Sequence, residues 1–465
     1  MMQAYYRSQV KYGARRRGAE DKACLGGLRS PRRAVRRLPQ LSTVRALVCQ
    51  ALQGVAQLHP AIVSSFLHHP SLEKSPRVFH SIETECLSAL QSAVGPFNVV
   101  RGAESTWRPG LLRAFSWTAG GLDTDIISWV QDGAPKEWAR GSTAVEPSMV
   151  FPRVARPISK VCLEDLYAHT EPSGSYISVS EHSGAVLAEL QRLEAAGYVE
   201  WFASLDEVRR KLGAAIMSNL ACVRSVRADG TRKHRLVVDL RQSGVNSVAP
   251  LGERLVLPRI WDAVQPGIYR CRQAAADESV SMVAVDFKGA HHTTGVGPAE
   301  IRHRAAQGPE GRLYAYRALT LGGGASPLVW GRAGARLGRS TSSPFGADKA
   351  RLQLYVDDPL MLSRGTPSTI RMHMCVALLW WQCVGLPISW NKLQVGPSVS
   401  WIGMHVPILS SNSIFHLTES VARKLADACE EVLVTRSIPA KDVELAGRAP
   451  WGGLHRPRIP TCDPL

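Results

Sequence analysis

The chain has no Cys-x-x-Cys pair and no Cys/His run at zinc-ligand spacing. Its ten cysteines therefore read as scattered thiols of a reducing compartment, which excludes a disulfide framework. Long apolar runs are missing too: the longest, 374–388, is interrupted by Gln382 and is too short to span a bilayer. No secretory leader and no internal repeat is visible. The expected location is intracellular, nucleus or cytoplasm with an organelle open, with no membrane and no evident protein partner. Acidic residues are scarce, 39 against 56 Lys and Arg, for a formal charge of +17. Such an excess is commonly met by a polyanion, usually nucleic acid.

What is present suits a folded protein: 465 residues, 45% hydrophobic and 20% charged, enough for two or three compact units. Residues 1–40 carry eleven Lys or Arg against two acids, so +9 of the +17 sits in this arm. The reading is a disordered basic arm over 1–42, a nucleic-acid or targeting arm being the alternative. From Thr43, apolar residues recur at helical spacing (Val44, Leu47, Val48, Leu52, Val55). Pro96 to Pro157 is rich in Trp, Gly and Pro (Trp107, Pro109, Trp117, Gly120), and residue types assign it no chemistry. The spacing of Val186, Leu187, Leu190, Leu193 and Ala196 predicts a helix ended by Gly197. Residues 220–227 and 235–240 flank Asp229-Gly230, a hairpin signal. A strand is expected over 282–287, a helix from Ser326-Pro327, a strand–turn–strand over 352–362 with Asp357-Asp358 at its tip, a helix over 369–384 and a strand pair around 401–406. Helices alternating with antiparallel strands make the class α+β.

Three aspartates carry the chemistry. Asp286 ends one strand, and Asp357 and Asp358 sit at a hairpin tip. Were these strands neighbours, the carboxylates would converge, and like charges at close range need cations to stay ionised. Hard carboxylate oxygens suit Mg²⁺, and two such ions align an attacking hydroxyl with a leaving pyrophosphate. The expected cofactor is two Mg²⁺ ions, with Mn²⁺ a substitute.

The surroundings resemble the reverse transcriptase family. Tyr355-Val356-Asp357-Asp358 is similar to its catalytic hairpin, and Val283 to Phe287 to the strand bearing its first metal-binding aspartate. Gly322 through Ser326-Pro327 resembles its Gly-rich turn, Gly385-Leu386-Pro387 through Lys392 its later palm segment, and Trp401-Ile402-Gly403 its primer-gripping hairpin. Arg227 to Gly230, Lys233, Arg235 and Asp239-Leu240-Arg241 resemble the fingers hairpin that clamps the incoming triphosphate. These elements run in family order from about 178 to 406, with a retroelement-encoded enzyme the nearest in character.

The resemblance implies a right-hand palm and fingers with an antiparallel sheet carrying the Asp site, after a mostly helical or irregular N-terminal region. It divides the chain into an arm (1–42), an N-terminal region (43–160), fingers (161–270), palm (271–410) and an incomplete thumb or connection (411–465), without ribonuclease H. It implies Asp286, Asp357 and Asp358 as catalytic metal ligands and Lys392 as general acid. Lys233, Arg235, His291, Gly322, Ser326 and Tyr355 would hold substrate, and the partners would be an RNA or DNA template with primer and dNTPs.

Two positions depart from the family pattern. His291 stands where Phe or Tyr usually lies under the sugar, and Thr320-Leu321 stands where Pro-Gln is common. Two other readings remain: a catalytically degenerate nucleic-acid-binding remnant, and an RNA-dependent RNA polymerase.

Overall fold

The computed structural model describes residues 41–430 except 61–76, 96–98, 103–104, 115–122, 124, 135–147, 155–162, 168–170, 172–173, 227–229, 250, 343, 346–347, 408–415, 420, 424 and 428–429. The basic arm, Trp117, Gly120, the hairpin tip Arg227-Ala228-Asp229 and the end of the expected thumb lie outside the described residues. The described residues from Leu41 to Glu430 belong to one compact unit.

Eight helices are used below. They are α1 (Leu41–Leu58), α2 (Arg77–Val94), α3 (Pro109–Ala114), α4 (Asp125–Asp132), α5 (Ser183–Ala195), α6 (Ile260–Arg272), α7 (Ser326–Ser342) and α8 (Pro367–Cys383). The strands are β1 (Val199–Phe202), β2 (Met217–Val226), β3 (Arg232–Asp239), β4 (Ser279–Ala284), β5 (Ala305–Gln307), β6 (Leu313–Tyr316), β7 (Ala350–Tyr355), β8 (Asp358–Gly365), β9 (Gln394–Gly396), β10 (Ser398–Trp401), β11 (Met404–Pro407) and β12 (His416–Leu417).

Helix α8 explains the longest apolar run. Thr366 caps its start by accepting the Thr369 N–H, and Pro367 fills the first turn. Met374 through Trp381 are all buried, as expected of a helix enclosed on every side. One side meets β8 and β4; another meets α1 and α2, whose Val48, Leu52, Ile82, Cys86 and Leu90 share its core. Among the described residues no helix is long and apolar enough to cross a membrane.

β7, β8, β4 and β9 form an antiparallel four-stranded sheet in that order. Side chains alternate across it. Val283 and Met361 face the α8 core, whereas Met282, Ala284, Leu360 and Leu362 face Ala263 and Val264 of α6. With both faces covered, what this sheet offers for chemistry is the end where its strands run out. A second sheet, ordered β1-β6-β5-β2-β3 with one parallel pair, β2–β5, packs on Val186, Leu190 and Leu193 of α5. β10, β11 and β12 make a third.

The described residues of the Trp-rich segment pack into the core. Trp107 is wholly buried. Arg108 donates to the Cys383 carbonyl (2.8 Å) at the end of α8 and to Glu83 of α2 (2.8 Å). Arg332 of α7 is buried against Asp123 and lies over the Trp129 ring, 4.1 Å from its centroid.

Candidate active site

The site begins with a two-residue turn. Tyr355 pairs with Asp358 across the β7–β8 hairpin, leaving Val356 and Asp357 as its centre. Val356 has φ 52°, a conformation that a β-branched side chain adopts only under constraint. Primed hairpin turns need a positive φ here and usually take Gly or Asn. Four successive carbonyls are held. Val356 O accepts the Trp330 Nε1–H (2.8 Å) and Asp358 O the Trp401 Nε1–H (3.0 Å). Asp357 O and Pro359 O accept the N–H groups of Phe287 (2.8 Å) and Val285 (3.3 Å).

Those two backbone bonds continue the β4–β8 ladder past the end of β4 at Ala284. The expected strand over 282–287 is thus regular only to 284, yet its tail still runs beside the turn. Asp286 comes to lie next to Asp358 in the continued register, and the three aspartates share one electrostatic field. Lys392 joins them: its Nζ is 2.7 Å from Asp286 Oδ1, and Ser389 Oγ donates to Asp286 Oδ2 at 2.7 Å. Ser389 had no signal in its residue type, because its role comes only from the bridge of Phe287 to Ile388 alongside.

Burial, then the charges of Asp357 and Asp286, push Asp358 up to about 7, with Lys392 opposing. Burial and Asp286 raise Asp357, while Lys392 and Lys233 pull it back. Burial is the larger cause at both residues, and the mutual repulsion of the carboxylates adds to it.

The Gly-rich turn lies against β3. Gly322 has φ 98°, and a Cβ there would strike the Val238 carbonyl oxygen. Asn246 clamps the turn, donating from Nδ2 to Gly322 O (2.9 Å) and accepting the Gly324 N–H at Oδ1 (2.8 Å). Residue types gave no warning of Asn246. Ser326 opens α7, 1% exposed, its Oγ without a hydrogen-bond partner among the described residues. A Cβ on Gly323 would lie 2.6 Å from that Oγ and 3.2 Å from Arg304 Nη1.

The remaining expected site residues spread around this centre. His291 lies 6.5 Å from the Trp330 ring, and burial lowers its pKa, keeping the imidazole neutral. Tyr355 meets Trp401 edge to face at 6.5 Å. Lys233 on β3 is close enough for its charge to lower Asp357. Arg235, two residues along the same strand face, donates to Ser225 Oγ at 3.1 Å, and no described contact links it to the aspartates.

The oxygen donors are of the kind a hard dication takes, and Asp357 and Asp358 lie in one field with Asp286. Asp286 has both oxygens engaged by Ser389 and Lys392. Among the described residues, no group of three or more His, Cys, Asp or Glu side chains stands ready to hold a metal ion.

No family model and no curated protein matches the sequence. Among solved structures, the chain is similar to a foamy viral protease-reverse transcriptase dRH in complex with double-stranded DNA, at TM-score 0.41 and 15% identity, over 60% of this chain and 42% of that one. The same viral protein with an RNA/DNA hybrid gives TM-score 0.40 and 15% identity over 60% and 32% of the two chains. With double-stranded DNA it also gives 0.39 and 14% over 66% and 56%. The chain thus spans less than half the length of the first of these proteins, and the functional reading is carried by its own residues.

Proposed function

We propose that the chain is an RNA-directed DNA polymerase of a retroelement, extending a primer with dNTPs on a nucleic-acid template. The observation that carries this reading is the meeting of Asp286, Asp357 and Asp358 with Lys392 at the end of one sheet. In this reading 161–270 act as fingers and 271–410 as palm.

Asp286 and Asp357 would hold two Mg²⁺ ions, or Mn²⁺, and Asp358 would support them; Asp286 would exchange Lys392 for an ion. Bound there, the ions would lower the cost of deprotonating the primer 3′-hydroxyl and of charge on the departing pyrophosphate. Lys233 and Arg235 place an ammonium and a guanidinium fork on one strand face, a pairing suited to a triphosphate. The 3′-hydroxyl gives its proton to solvent, and its oxygen bonds the α-phosphorus as the α–β phosphoanhydride breaks. Lys392, freed from Asp286, gives its Nζ proton to the leaving pyrophosphate. Gly322 lets the Gly-rich turn lie against β3 beside the nucleotide, with Ser326 behind it. His291 and Tyr355 would flank the sugar and base, and a neutral imidazole leaves room beside a 2′-hydroxyl.

Primer extension on poly(rA)–oligo(dT) with Mg²⁺ tests the proposal. D357N abolishes incorporation while filter binding of the duplex stays within about twofold, since most of that binding is sequence-independent charge. An active D357N rejects the assignment.

The closed state of Asp286 favours one second reading, a nucleic-acid-binding remnant. Duplex binding without extension by the parent protein selects it. Offering rNTPs beside dNTPs separates an RNA polymerase from a DNA polymerase.

A further inference from the structure

We propose that the indole N–H groups of Trp330 and Trp401 are positioning elements for the acidic turn, setting its carboxylates for divalent-cation binding. The inference rests on the reading above and deepens it.

The turn stores strain at Val356, whose φ is 52°, and strain of this kind persists only where the surroundings over-determine the backbone. Two of the four carbonyl anchors are backbone groups of the strand tail that carries Asp286. They fix the turn to that tail along one edge. The other two come from different parts of the fold: Trp330 from α7 at 2.8 Å, and Trp401 from the end of β10 at 3.0 Å. Each indole is clamped in turn. Trp330 is 1% exposed, with Trp107 at 5.8 Å and Phe287 at 6.5 Å; Trp401 is 3% exposed, with Tyr355 edge-on at 6.5 Å.

A phenylalanine would fill most of either space and donate nothing. The lost donor would leave Val356 O unpaired in a half-buried place, or Asp358 O with only its pairing to Tyr355 across the hairpin, and the cheapest relief is for the turn to rotate. Rotation at Val356 moves Asp357, the next residue, and Asp358 after it. Chain packing does not require an N–H at these two positions. The turn does.

The test compares the full chain with W330F, W401F, D357N and the double variant W330F/V356G. Mn²⁺ binding by titration calorimetry is read alongside extension rate against Mg²⁺ concentration. W330F raises the Mn²⁺ dissociation constant and the Mg²⁺ half-saturation point by about 5- to 10-fold, the scale of one lost neutral hydrogen bond. KM for dNTP at saturating Mg²⁺ stays within about twofold. W401F moves in the same direction. Adding V356G to W330F recovers at least half of the loss, because glycine holds a positive φ without the tether. A tryptophan that only filled space would not be rescued by a glycine elsewhere.

If W330F loses its fold by circular dichroism, W401F decides. Tryptophan variants that bind Mn²⁺ as the parent does, beside a D357N that binds less and does not extend, overturn this inference alone. A parent that neither binds Mn²⁺ nor extends primer overturns the proposed function and the inference together.

Discussion

At the scale of single residues, the charged side chains were readable and their supports were not. The string Tyr355 to Asp358 stands out in the sequence, and so does Asp286 at a strand end. Asn246, Ser389 and Trp330 do not, because each takes its role from a partner 76, 103 or 26 residues away. Two predictions belong here. Mg²⁺ raises the melting temperature of the parent protein and not that of D357N, since an ion held only by the folded state stabilises it by mass action; thermal scans with and without the ion check this. The second concerns His292, stacked on Tyr198 at 5.5 Å. Burial first, then Arg192 and His291, push its imidazole down to about 4. The unfolded chain binds that proton near its ordinary value of about 6.5. Stability from this group is thus complete above about 6.5 and is lost as pH falls toward 4. H292F flattens that part of the melting-temperature profile by roughly a few degrees.

Among elements, the helices were the most legible. The stripe through Val48, Leu52 and Val55 became α1, and Val186, Leu190 and Leu193 became the buried face of α5. The hairpins β2–β3 and β7–β8 also lie where turn residues and alternation put them, with β2 starting at Met217. β1, β5 and β6 carried no such signal. β5 has three residues and β6, Leu313–Tyr316, is buried on both faces, so neither shows polar–apolar alternation. Gly322 was singled out by resemblance, and its physical ground is the backbone of β3 lying directly against it. G322A is expected to cost about 3 kcal/mol or more, combining a positive φ with a backbone clash. Chemical denaturation measures it, with G324A, whose Cβ would lie 3.3 Å from Asn246 Oδ1 and meet no backbone, as the milder comparison.

For the molecule as a whole, the least legible feature was the place of residues 99–134. Their Trp, Gly and Pro content gave no periodicity. Contacts far along the chain decide their role: Arg108 with Cys383, Arg336 with the Leu112 carbonyl (3.3 Å), Asp123 with Arg332. The last pair is 0–1% exposed on both sides, and removing Asp123 leaves the buried Arg332 only its longer pairs to Asp125 (3.8 Å) and Glu253 (3.9 Å). D123N is predicted to destabilise by about 3 kcal/mol, the low end for a broken buried pair, read as a lower urea midpoint. A chain begun at residue 161 loses Trp107 and Asp123 together and is expected to be insoluble when expressed, which a sedimentation assay shows.

The four-stranded sheet sets a timetable for biosynthesis. β4 emerges first of its four strands, yet the ammonium that meets Asp286 follows 106 residues later. At translation speeds of about 5–20 residues per second, that is a delay of roughly 5–20 s. A ribosome-bound chain that stops short of residue 392 owns an Asp286 with no Lys392 to meet it, and gains that ion pair only after the sheet's first strand has long been exposed.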